Sequence, residues 1–475
     1  MQRVAVLNVV GLTRSLIGPH TPRLAARRDR GRLSVIDPAL PAVTCTAQST
    51  YVTGRTPGSH GIVGNGWYNR QLAEVQFWKQ SNHLVAGPKV WDDLRKDLPG
   101  FTCANSFWWY NMYSTADFSV TPRPMYPADG RKVFDVYSWP YELRPGLKAD
   151  LGEFPFPAFW GPAAGMQTPQ GAPDAASRWI AGCARWIEER HQPTLHLVYL
   201  PHLDYNLQRL GPAHPAIPED LRRIDAIAGD LADFLEGRGV KVLILSEYGI
   251  TPVSRAVHLN RVFREKGWLT VKEELGLELL DAGNSRVFAV ADHQVAHVHV
   301  QDRSLLDAAR SLVESTPGVA RVMDHRALQR IGLDHPRAGE LVAFSDEDAW
   351  FTYYYWLDDA RAPDFARCVD IHRKPGYDPV ELFLDPTLSA IKLRIAWRLL
   401  RKKLGFRMLM DVIPLDASLV KGSHGTRPKS MDDWPVFLSD TTHGPDIMAA
   451  TDIARVIRRT VKGEATEAMG SHLKY

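Results

Sequence analysis

Thr44-Cys-Thr-Ala-Gln-Ser-Thr-Tyr-Val-Thr-Gly-Arg-Thr-Pro-Gly-Ser-His-Gly-Ile-Val-Gly-Asn65 is the stretch from which the rest of the chain can be read. A hydroxyl residue follows the extended segment Pro38–Val43 and opens a helix-compatible run that stops at Gly54. At a helix N-terminus, unpaired N–H groups and the helix dipole favour an anion. A threonine placed there becomes a nucleophile for phosphoryl transfer when a metal or base lowers its pKa. A threonine before a helix is also an ordinary N-cap, so the residues around it decide the reading.

Three apolar, β-branched runs surround this element as expected central strands of a parallel sheet: Val4–Val10, Leu195–Leu200 and Val240–Leu245. Each ends in a polar cluster, at Gly11-Leu12-Thr13, Pro201-His202-Leu203-Asp204 and Ser246-Glu247-Tyr248-Gly249. In an open α/β sheet the ligand site lies outside the C-terminal strand ends, so the three clusters predict one shared site. Leu221, Ile224, Ile227, Leu231, Phe234 and Leu235 recur at helical spacing and mark a crossover helix closed by Gly237 and Gly239. From about residue 276 the texture changes. Arg286–Asp292 and Val295–Val300 read as strands, Leu305–Ser315 as a helix, and Ala320–Met323 and Glu340–Phe344 as further strands, which together suggest a small inserted α+β lobe. The aromatic runs Phe107–Tyr110 and Trp350–Trp356 are expected mainly in the core.

Hydrophobic content of 45% and charged content of 23% describe a globular chain. Its 57 basic and 54 acidic residues are too balanced to predict a nucleic-acid polymer as partner. Cys45, Cys103, Cys183 and Cys368 form no CxxC pair, which fits a reducing compartment and a cytoplasmic protein. The N-terminal run reads as a buried strand rather than a signal peptide. No stretch reaches the roughly 18 apolar residues of a transmembrane segment. The basic, amphipathic segment Arg394–Lys403 reads as a solvated helix face, with an acidic membrane surface as the alternative. Oligomeric state is left open.

Together these landmarks resemble the alkaline phosphatase superfamily, in its nucleotide pyrophosphatase/phosphodiesterase and phosphonoacetate hydrolase branch. The likeness rests on Thr44, Thr53-Gly54, Pro57, His60-Gly61-Ile62 and Asn65. It rests equally on the order in which Leu200-Pro201-x-x-Asp204, Ser246-Glu247-x-Gly249 and His424-Gly425 follow. The resemblance implies a mainly parallel central sheet flanked by helices, built from residues 1–275 and 420–462. It also implies a cap lobe over 276–419; the tail 463–475 is expected to be disordered. Thr44 would be the nucleophile and Asn65 a donor to the phosphoryl oxygens. Lys421, three residues before His424, is a candidate contact for an anionic group, with a structural role as the favoured reading.

That branch holds two divalent ions with Asp and His residues, and this chain departs from the set. Asn8 stands at the first-strand Asp, Gln208 at a His, and Glu247-Tyr248 at an Asp-His pair; Asp204 and His424 match. The remaining carboxylates, Asp204 and Glu247, balance the charge of one divalent ion (zinc, magnesium or manganese). His202 is a further candidate ligand, since extended chain would put it on the same face as Asp204. Tyr248 would donate a hydrogen bond or shuttle a proton in place of the second metal. His258, Asp292-His293, His297 and His443-Gly444 are read as structural. The expected function is hydrolysis of a small-molecule phosphate or related oxyanion ester. The alternatives are a metal-depleted homologue that binds a ligand or biosynthetic partner, and a metal-free acid–base catalyst in the same cleft.

Overall fold

Each of Val4–Val9, Leu195–Leu200 and Lys241–Leu245 is a strand, and the first pairs in parallel with both of the others. Strands buried on both faces read as continuous apolar runs, and Val4–Val9 is buried throughout. The structure, a computed structural model, describes residues 1–169 and 171–464 of the chain. Nine strands form the main sheet. Its order is Ile447–Ala449, Arg32–Asp37, Val436–Ser439, Lys241–Leu245, Val4–Val9, Leu195–Leu200, Cys103–Ser106, Phe118–Pro122 and Val136–Trp139. Val436–Ser439 runs antiparallel to both its neighbours, as does Val136–Trp139 to its one; the remaining pairs are parallel.

The predicted crossover is helix Ile217–Glu236, which packs with Ala175–His191 against the central strands. Its Leu221, Ile224, Ile227, Leu231 and Leu235 face the core. Thr44–Thr53, Val90–Asp97 and Ile453–Lys462 form a second helical group. Four strands make a separate antiparallel sheet in the order Val287–Asp292, Val295–Val300, Leu341–Ser345 and Val319–Met323, with helix Leu306–Glu314 beside the last. The residues Trp350 to Trp356 are buried in the core beneath it. Phe107 and Trp108 are buried in the core of the main sheet.

The segment that follows the smaller sheet carries a buried ion cluster that the sequence did not reveal. The Lys374 ammonium lies 3.0 Å from Asp378 and 2.9 Å from Glu381, all three buried. Glu381 also accepts from the Trp160 indole at 2.6 Å and from the Asp370 amide at 3.0 Å. The part of the expected tail beyond residue 464 lies outside the described residues. Among the described residues, no helix is long and apolar enough to cross a membrane.

Candidate active site

Thr44 is the first residue of helix Thr44–Thr53, entered from the extended Val43. The helix ends at Gly54, whose φ of +65° is the left-handed conformation glycine adopts without a Cβ penalty. His60 staples the motif to this helix: one ring nitrogen lies 3.0 Å from the Thr50 hydroxyl and the other accepts from the Ile62 amide at 3.1 Å. Thr46 donates to the Ile62 carbonyl at 3.1 Å. The order of Thr, His-Gly-Ile and Asn is therefore a folding device that brings Asn65 back to the helix start, where its side-chain oxygen accepts from the Cys45 amide at 3.0 Å.

Around Thr44 the three strand ends meet. The Thr44 hydroxyl lies 3.1 Å from the Tyr248 phenol, which donates to the Asp204 carboxylate at 3.1 Å. A phenol has one hydrogen, so the chain of donors runs from Thr44 through Tyr248 to Asp204. Glu247 accepts from the Asn8 amide and from the Gln48 amide. Gln48 sits one turn along the helix from Thr44, a position whose spacing could have revealed it. The Tyr248 ring stacks on His424 with centroids 3.5 Å apart and planes 5° from parallel. His424 donates through Nδ1 to the Ala42 carbonyl, 2.7 Å away.

The smaller sheet contributes the other wall. Asp292 accepts from the Asn65 backbone N–H at 2.7 Å and from its side-chain amide at 3.0 Å. His293 packs between His424 and Tyr377, with centroids at 3.7 and 3.6 Å, and Tyr377 donates to Gln208 at 3.1 Å. Asp292 and His293, read from sequence as structural, thus join the cluster. Nothing in the sequence pointed to Tyr377.

Lys421 lies apart from these residues; its ammonium donates to the Ser418 carbonyl at 2.8 Å on the surface. His202 lies apart as well. The extended chain that would align it with Asp204 is instead the first turn of helix His202–Leu210. Residues two apart on a helix face in different directions, and the His202 ring turns to Asp220, 3.1 Å away.

Burial dominates the electrostatics. It lifts the Asp204 carboxyl to about 7, against the Tyr248 hydrogen bond, and the Glu247 carboxyl to about 8, against its amide donors. Asp292 is lifted to about 7 for the same reason. His424 is lowered to about 3, so its imidazole is neutral.

Two buried oxygens in this cluster, Asn8 Oδ1 and Glu247 Oε2, have no hydrogen-bond partner, and neither has His424 Nε2. Orphaned buried acceptors call for a proton donor or a cation. Hard oxygens of this kind suit one magnesium- or manganese-like ion. Two ions fit poorly, because Tyr248 already joins Thr44 to Asp204 and covers the face of His424. No group of three His, Cys, Asp or Glu side chains placed to hold a metal occurs among the described residues.

A mainly parallel sheet with a threonine-headed helix and this cluster at its strand ends defines an alkaline-phosphatase-like fold. Residues 4–378 match the family model for type I phosphodiesterase / nucleotide pyrophosphatase, and the chain belongs to that family. An uncharacterized pyrophosphatase/phosphodiesterase of Schizosaccharomyces pombe is 24% identical over 250 residues, spanning 51% of this chain and 44% of that protein. The chain thus spans less than half the length of that relative. Murine ectonucleotide pyrophosphatase/phosphodiesterase 5, an inactive threonine-to-alanine variant in complex with AMP, superposes with a TM-score of 0.58 at 15% identity, covering 99% of this chain and 98% of that one. Phosphonoacetate hydrolase from Sinorhizobium meliloti, in complex with phosphonoformate, superposes with a TM-score of 0.59 at 12% identity, covering 97% of this chain and 96% of that one. The family is generally dependent on divalent metal.

Proposed function

We propose that this protein hydrolyses a phosphate ester, phosphodiester or pyrophosphate of a small metabolite, with Thr44 as nucleophile. The observation that carries the reading is the hydrogen-bonded chain Thr44–Tyr248–Asp204. Thr44 Oγ1 attacks phosphorus and the bond to the leaving oxygen breaks. The threonine proton passes to the Tyr248 oxygen while Tyr248 releases its own proton to the Asp204 carboxylate, whose raised pKa suits it as acceptor. Asn65 spends one amide hydrogen on Asp292 and keeps the other for a phosphoryl oxygen. Water then cleaves the phosphothreonine and the relay runs in reverse.

Asn8 and Glu247 are the residues that would hold a single hard cation, which when bound would offset charge on the phosphoryl oxygens. Protein purified without chelator is expected to carry at most one tightly held divalent ion per chain by elemental analysis; two would contradict this reading. Residues 276–419 act as the specificity lobe, a reading supported by Asp292 and His293 reaching into the cluster. The neighbours' ligands, AMP and phosphonoformate, favour a compact phosphate-type substrate. Four buried, unpaired cysteines suit the reducing, cytoplasmic setting expected from the sequence.

The experiment is a panel of small phosphodiesters, pyrophosphates and monoesters, assayed with the native chain and with Tyr248→Phe. One class should turn over, a generic chromogenic diester should be poor, and the variant should lose about 10²-fold in kcat. Full activity of Tyr248→Phe would eliminate the relay, and silence of the native chain across the whole panel would eliminate the hydrolase.

A further inference from the structure

Helix Ile391–Lys403 contains no buried residue. Its inner side is held by Ile391 and Ile395, which pack against the core beneath the smaller sheet, and by an ion pair from Arg398 to Asp411. The opposite side is apolar. Leu393 is 73% exposed, Trp397 60%, Leu400 46% and Leu404 64%. At 3.6 residues per turn these four positions fall within about 60° of one another. Arg394 and Arg401 flank the stripe on one side, Lys392 and Lys403 on the other.

Between residues 391 and 410 stand Lys392, Arg394, Arg398, Arg401, Lys402, Lys403 and Arg407, with no acidic residue. A neighbouring loop extends the same surface. Lys402 lies 5.9 Å from the exposed Phe134 ring, Lys132 lies 5.8 Å from it, and Arg407 donates to the Asp129 carbonyl at 3.0 Å. Tyr126 is exposed on this loop as well.

We propose that this helix docks the protein on an anionic phospholipid surface, lying in the headgroup plane. The outermost side chains are Trp and Leu, which gain from entering the acyl boundary, while the flanking Lys and Arg reach back to lipid phosphates. Such a helix lies on the bilayer without crossing it. A nucleic acid would use the cations and leave the apolar stripe in water. A second copy of the chain would bring two helices of the same net positive charge together. Charge complementarity therefore favours the lipid. The proposal is independent of the hydrolase reading, since none of these residues belongs to the cluster around Thr44.

The test is co-sedimentation of the full chain with vesicles of phosphatidylcholine alone and of phosphatidylcholine with phosphatidylglycerol at three to one. Native protein should bind the anionic vesicles and not the neutral ones, and should weaken at about 0.5 M salt. Trp397→Glu with Leu400→Glu, both at exposed positions, should lower binding at least tenfold with an unchanged melting temperature. Each of Lys392, Arg394, Arg401 and Lys403 changed to Gln should weaken it about fivefold. No binding by the folded native chain would overturn the proposal, and so would undiminished binding by the double variant. Retention of an RNA oligomer in place of vesicles, or concentration-dependent dimers that the double variant abolishes, would name a different occupant and overturn it as well.

Discussion

Thr44→Ala is expected to remove turnover of whichever phosphate ester the native chain hydrolyses, with kcat falling on the order of 10⁴-fold or more. The change deletes the attacking oxygen and the first member of the relay, yet leaves Tyr248 bonded to Asp204. Folding should barely notice. Thr44 makes no side-chain cap for its helix, so the melting temperature should shift by only about 2 °C. Steady-state kinetics beside a thermal melt separates the two effects. A variant that keeps a tenth of native activity would remove Thr44 from the chemistry and pass attention to Glu247 or a water.

Lys374→Met should carry the largest cost in stability, about 3–5 kcal/mol. Burial alone would favour a neutral amine, but Asp378 and Glu381 beside it override that and hold the ammonium charged. Taking the cation away leaves two carboxylates in a site with no solvent to receive them, and Glu381 is already raised by its own burial. Denaturant titration of native and variant chains reads the difference. Replacing Lys374, Asp378 and Glu381 together by apolar residues of similar volume should recover most of the loss. A single variant as stable as the native chain would mean that the three charges contribute nothing net.

Much of this architecture was legible because its signals are local. Val4–Val9 and Leu195–Leu200 are apolar on both faces, so they declared themselves buried strands, and Leu221 to Leu235 declared a helix by period. In the smaller sheet, Val295–Val300 matched its expected bounds and Leu341–Ser345 lay within one residue of the expected strand. The centre was less legible. Tyr377 reaches Gln208 across 169 positions of sequence, and no spacing rule spans such a distance. Gln48 stands at helical spacing from Thr44, and Lys374, Asp378 and Glu381 lie in one short segment, but their partners Glu247 and Trp160 come from far along the chain. His202 failed for a different reason: an i, i+2 argument holds for extended chain, and Pro201 instead starts a helix. Asp292 and His293 looked like ordinary strand-end residues, because nothing in the sequence tells which side of a hairpin faces a second sheet.

The Asn65–Asp292 pair sets a limit on how this protein can be re-engineered. One carboxylate from the smaller sheet orients the loop that returns to the head of the Thr44 helix, through both a main-chain and a side-chain bond. The smaller sheet is therefore tied to the head of the Thr44 helix. A chimaera that receives a foreign segment over 276–419 inherits a working centre only if an acidic side chain returns at position 292, and diversification of substrate choice must proceed around that fixed point.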